Sequence, residues 1–152
     1  MELTHILETV REYTGIGHKQ DIAAIAPKLP ALPQHWHPNG DDTAAIPEAT
    51  GFTLMAIEGF INEFVKQDPW FAGWCGVMVN ISDIAAMGGR PRAVVNALWD
   101  DSLENAQLIS EGMVAAAESF GVPIVGGHTN LRAAQPQLAV AILGHANKLL
   151  SA

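Results

Sequence analysis

The sequence predicts an α+β domain, a mixed sheet of about four main strands covered by two long helices. Three observations point there. Half of the 152 residues are hydrophobic and charged residues are sparse, the balance of a globular chain large enough for its own core. Two stretches carry helical spacing between start and stop signals, one from Asp68-Pro69 to Gly88-Gly89 and one from Asn105 to Gly121. Short apolar runs at 43–46, 52–57, 93–99, 122–125 and 138–144 read as strands interleaved with those helices.

In chain order, Leu3, Ile6, Leu7 and Val10 give residues 2–13 a helical stripe. Gly15-Ile16-Gly17-His18-Lys19 follows; its glycines free the backbone and Lys19 could point at a phosphate, although a plain loop is the better reading of so short a pattern. Asp21 is a candidate cap for a short helix through Ile25. Prolines 27, 30, 33 and 38 make the next segment an irregular connector. Within it His35-Trp36-His37 precedes two aspartates, so a transition-metal site and ordinary loop histidines are both open readings.

Residues 43–46 and 52–57 form strands joined by a turn over Pro47–Gly51, with Glu58 and Gly59 closing the second. Asp68 caps a helix that has proline at its first position. On that helix Asn80 and Asp83 share a face one turn apart. The small residues Ala72, Gly73, Gly76, Ala85 and Ala86 let another backbone or a ligand come close. Gly88 and Gly89 supply the left-handed stop, and Pro91 prevents continuation. Residues 93–99 read as a buried strand, and 105–120 as a helix stopped by Gly121. A buried strand at 122–125 then ends in Gly126-Gly127-His128-Thr129, a tight corner where phosphates could meet backbone N–H groups. The whole reads as one domain, with a helical, proline-rich leader (1–39) and a core (40–147).

Several function classes drop out. A net charge of −8 leaves no basic stripe for nucleic acid. No apolar run reaches membrane-spanning length and no signal-like start is present, so a soluble, cytoplasmic protein is expected. The lone Cys75 excludes an internal disulfide and a cysteine-based zinc site, and its mid-helix place suits a structural thiol. An anionic ligand stays possible if a metal ion carries the positive charge. Asp41 and Asp42, Glu58, and Asn80 with Asp83 supply the hard oxygens magnesium takes together with substrate phosphates. Taken singly, each is also an ordinary turn or cap residue.

Four motifs in order, Gly40-Asp41-Asp42-Thr43-Ala44-Ala45, Glu58-Gly59-Phe60, Asn80-Ile81-Ser82-Asp83-Ile84-Ala85-Ala86-Met87-Gly88 and Gly126-Gly127-His128-Thr129, resemble those of the AIR synthase (aminoimidazole ribonucleotide synthetase) superfamily. The resemblance spans roughly residues 15–147. It implies an N-terminal α+β domain whose barrel is completed by dimerisation, with ATP and Mg2+ bound in a groove shared with a C-terminal domain. Carried over, it makes Asp41, Asp42, Glu58 and Asp83 metal-binding. Asn80, Gly126, Gly127 and Thr129 become nucleotide-binding, and Lys19 and His128 catalytic.

The departures matter as much. His128 stands where thiamine-monophosphate kinase has Asp and AIR synthase has Glu, and imidazole is a poor magnesium ligand. Selenophosphate synthetase shares Gly-Gly-His, but its catalytic Cys or selenocysteine positions hold Ile16 and His18 here, so selenium chemistry is not expected. The resemblance leads one to expect a further C-terminal domain that these 152 residues do not include, so a separated N-terminal domain, a truncated chain and half of a two-polypeptide protein are all open. The resemblance therefore implies the ATP/Mg-binding domain of an ATP-dependent kinase or ligase-type synthetase that phosphorylates a small molecule. A homodimer is expected, and a separate C-terminal-domain protein is a possible partner. The alternative is a non-catalytic dimerising scaffold, or half of a two-chain enzyme.

Overall fold

The computed structural model describes residues 3–13, 22 and 24–150, and the chain divides into two units, 1–35 and 36–152. The first unit carries α1 (Leu3–Arg11) and a 3-10 turn over Ala26–Lys28. The stripe Leu3, Ile6, Leu7 and Val10 has the expected spacing and is exposed. Lys19 with its flanking glycines, and Asp21, lie outside the described residues.

The second unit is built on a five-stranded sheet. Its strands are β1 (Ala44–Pro47), β2 (Phe52–Gly59), β3 (Arg90–Trp99), β4 (Ile124–Asn130) and β5 (Gln137–Ala146), in the order β1-β2-β5-β3-β4. Only β3 and β4 run parallel; the connection between them is the long helix α4 (Leu103–Phe120), as a parallel crossover requires. Between β2 and β3 come the short α2 (Asn62–Gln67) and the long α3 (Pro69–Ala86). Among the described residues no helix is long and apolar enough to cross a membrane.

Local chemistry sets the helix ends as expected. Asp68 accepts the Phe71 N–H at 3.2 Å with Pro69 behind it, and Gly88 turns the chain at a φ of 72°. Gly121 closes α4 in the left-handed region at a φ of 66°, but the helix starts at Leu103, two residues before the expected Asn105, because Ser102 caps it by accepting the Asn105 N–H. The small residues of α3 serve a neighbouring backbone. A methyl at Gly73 would fall on the Ile109 carbonyl of α4, and one at Gly112 on the Trp70 carbonyl of α3. The two helices thus touch nearly backbone to backbone, in a reciprocal pair of glycine contacts. Cys75, half-buried beside them, has its thiol pKa pushed up by burial and then by the Asp68 charge, the setting of an inert structural thiol.

Alternation along β5 buries Leu138, Val140 and Ile142 towards the helices, where they meet Val77 and Ile84 of α3 with Leu54 of β2 and Val94 and Leu98 of β3. Full burial of each such side chain contributes about 1.5–3 kcal/mol. Among the described residues of this unit, no helix covers the other face.

One expectation needs correcting. The Gly-Gly-His-Thr motif is not a corner after a buried strand; it lies within β4, which runs to Asn130 and is largely exposed. Gly126 and Gly127 pair with Val95 and Asn96, so the turn-forming freedom of glycine goes unused there. The five strands correspond to the five apolar runs read in the sequence, with the short hairpin strand β1 paired to β2 at the sheet edge.

Candidate functional site

The sheet register brings together motifs that are far apart in sequence. Glu58 pairs with Val140, Val140 with Asn96, and Asn96 with Gly127, so Glu58 and Gly127 share one rung across four strands. The next rung is Gly59, Ala139, Ala97 and His128. Three inter-strand steps put Glu58 about 14 Å from Gly127. One metal ion cannot touch both ends of such a rung.

Asn80 is tied to the same rung. Wholly buried, it donates its side-chain amide to the Gly76 carbonyl at 2.8 Å and to the Val140 carbonyl at 3.0 Å. It thereby staples α3 to β5, and close approach is helped by Gly76, where a methyl would lie 2.8 Å from Val140 Cγ2. Asp83, half-buried, follows one turn later, about 5 Å further along the axis.

Asp41 and Asp42 stand just before β1. Because β1 is antiparallel to β2, with Ala44 opposite Met55, they lie on the Glu58 side of that ladder. Asp41 is mostly buried: its Oδ2 is 3.1 Å from His37 Nε2, and its Oδ1 accepts the Asp42 N–H at 3.0 Å. The Asp42 side chain is exposed. Thr43 is buried immediately after them.

On β4 the two glycines differ. A methyl at Gly127 would collide with the Asn96 side chain, so Gly127 is needed for packing. At Gly126 a methyl would meet only Val95 Cγ1, at 4.0 Å. Nothing among the described residues requires glycine there, and the uncovered face is free for an approaching group. Register puts Gly126 and His128 on that uncovered face, with Gly127 and Thr129 on the helix side. His128 is exposed, its ring 5.8 Å from that of Trp99.

The rungs thus link Glu58, Asn80, Gly127 and His128 through the sheet, with Asp41 and Asp42 towards the same end of the strands. Among the described residues no group of three or more His, Cys, Asp or Glu side chains stands close enough to hold a metal ion by itself. Two residues of the site were missed in the sequence. Asn96 gives no signal there, since its role depends on register. His37 reads in the sequence as a metal ligand or loop residue, and its i, i+4 spacing to Asp41 is the signal for the pairing that the structure shows.

Comparison with known proteins adds to this geometry. Residues 40–146 match the family described as AIR synthase related protein, N-terminal domain. An uncharacterized protein of Synechocystis sp. is 49% identical over 98% of this chain and 47% of its own length. The thiamine-monophosphate kinase of Synechococcus elongatus is 31% identical over 71% of this chain and 35% of its own. Selenide, water dikinases are among the further relatives. In three dimensions, AaThiL complexed with AMPPCP and TMP matches with a TM-score of 0.67 at 19% identity, over 99% of this chain and 46% of that one. The chain spans about half the length, or less, of these proteins.

Proposed function

Since the chain belongs to the AIR synthase related proteins through the N-terminal domain of that family, we propose that it is the nucleotide-binding part of an ATP-dependent kinase or synthetase acting on a small molecule. The observation that carries this reading is the shared register of Glu58 with Gly127, stapled by Asn80, on the sheet side where Asp41 and Asp42 stand. Relatives named as thiamine-monophosphate kinase and a structural neighbour holding AMPPCP support it.

Magnesium fits the donor set. Asp41, Asp42, Glu58 and Asp83 offer carboxylate oxygens, the hard ligands that ion prefers. A site short of three protein ligands suits an ion that keeps waters and takes phosphate oxygens to complete its shell. When bound, it would neutralise phosphate charge that an acidic chain otherwise repels. In this reading no more than two of Asp41, Asp42 and Asp83 would ligate a given ion directly, with waters and phosphate oxygens completing its shell, and Glu58 would stand at the outer end of the site. Gly126 leaves its backbone open to a ligand, and Gly127 keeps β4 against Asn96, with Thr129 beside it. Asn80 fixes the helix that carries Asp83.

His128 accepts the proton of the acceptor group; for Lys19, outside the described residues, the phosphate-neutralising role is carried over from the family resemblance alone. The γ-phosphoryl passes from the β-phosphate oxygen of ATP to that acceptor, so one P–O bond breaks, one bond to phosphorus forms, and ADP leaves. Positioning and charge neutralisation supply most of such catalysis.

The uncovered sheet face completes the proposal. Its apolar side chains suit a second copy of the chain, giving a homodimer. The share of relatives that this chain spans favours a second half, within the same polypeptide or on a separate one, to complete turnover.

The test is calorimetric titration of a non-hydrolysable ATP analogue, with and without magnesium, on the wild type and on Asp83→Asn. Magnesium-dependent binding that the substitution abolishes is the expected result. Binding that ignores both magnesium and Asp83 would refute the metal–phosphate assignment, and absence of binding would favour a scaffold.

A further inference from the structure

We infer that His37 is a positioning residue: it holds the Asp41 carboxylate in the orientation from which that group meets a metal–nucleotide. The inference rests on the metal reading of Asp41 and adds to it a residue from the proline-rich segment, which the proposed function leaves unused.

The local sequence builds the contact. In His37-Pro38-Asn39-Gly40-Asp41, Pro38 fixes one backbone angle and Gly40 adopts a φ of 121°, open to glycine and costly for other residues. The chain folds back so that His37 Nε2 lies 3.1 Å from Asp41 Oδ2, with side chains only 16% and 8% exposed. An ionised carboxylate only accepts, so His37 donates. The other oxygen, Oδ1, accepts the Asp42 N–H at 3.0 Å. With a donor on each oxygen, the plane of the Asp41 carboxylate is fixed. The neighbouring Asp42 side chain is exposed and has no such anchor among the described residues. The pair therefore divides into one aimed carboxylate and one adaptable one. Hydrogen-bonded support of a ligating carboxylate is a recurrent determinant of metal affinity.

The experiment uses the full-length protein with Mn2+ as probe, its binding read by electron paramagnetic resonance in the presence of a non-hydrolysable ATP analogue. His37→Ala is expected to weaken Mn2+ binding about 10- to 100-fold. His37→Gln, which places an amide N–H near the position of Nε2, should recover most of that loss. Melting temperatures are recorded alongside. A contact that only braces the loop would lower the melting temperature of His37→Ala and leave Mn2+ affinity unchanged, and that result overturns the inference. Should the alanine variant fail to fold, His37→Asn takes its place, its shorter amide falling short of Asp41. Unchanged affinity in the His37 variants with loss in Asp41→Asn removes the inference and leaves the metal reading standing. No Mn2+ binding by the wild type overturns both.

Discussion

On one face of the sheet Leu54, Val94, Leu98, Val140 and Ile142 are buried under α3 and α4. On the other, Met55, Ile57, Val95 and Leu143 are between 42% and 69% exposed. Both sets alternate along the same strands, so β-propensity and pattern do not separate them. What separates them is the helix layer, pressed close by glycines at 73, 76 and 112. The comparison teaches that half of the apolar investment of this sheet stabilises the fold within the chain. The other half stays exposed among the described residues, and the dimer proposed above would bury it.

The strongest way to break this contrast is at the helix–helix contact. Gly112→Val puts a branched side chain into the Trp70 carbonyl and is expected to cost about 3 kcal/mol or more. That is a fall in Tm of roughly 6–12 °C, read by thermal denaturation. Next comes the staple. Asn80→Ala removes two buried hydrogen bonds and leaves a small void, at about 1–2 kcal/mol in urea titration. The smallest effect on the fold sharpens the contrast from its other side. Ile57→Glu, on the uncovered face, should change monomer stability by within about 0.5 kcal/mol while converting a sedimenting dimer to monomer. A loss of stability as large as that of Gly112→Val would mean the face is covered within the chain after all.

The helices were legible in the sequence because their determinants are local. Asp68-Pro69, Gly88 and Gly121 sit where capping chemistry puts them, and each takes the expected part. Strand β4 was less so. Gly126-Gly127 reads as a break, and only pairing with Val95 and Asn96, some thirty residues earlier, keeps it extended. Register is non-local, so the common rung of Glu58 and Gly127 could not be read from spacing. Asn80 was legible as special for the wrong physical reason: a polar residue among small apolar ones marks a buried amide as readily as a ligand contact. Gly127 shows the same ambiguity, since Asn96 fills the space its missing side chain leaves.

The central claim is that motifs dispersed over ninety residues make one nucleotide site at one end of the sheet, and hydrogen exchange tests it most directly. Amide exchange of the full-length protein is compared with and without magnesium and a non-hydrolysable ATP analogue. Slowed exchange at 40–43 together with 126–129, and little change in the α4 segment 112–120, is the predicted result. Protection confined to other segments, or protection of only one of the two motifs, would contradict it.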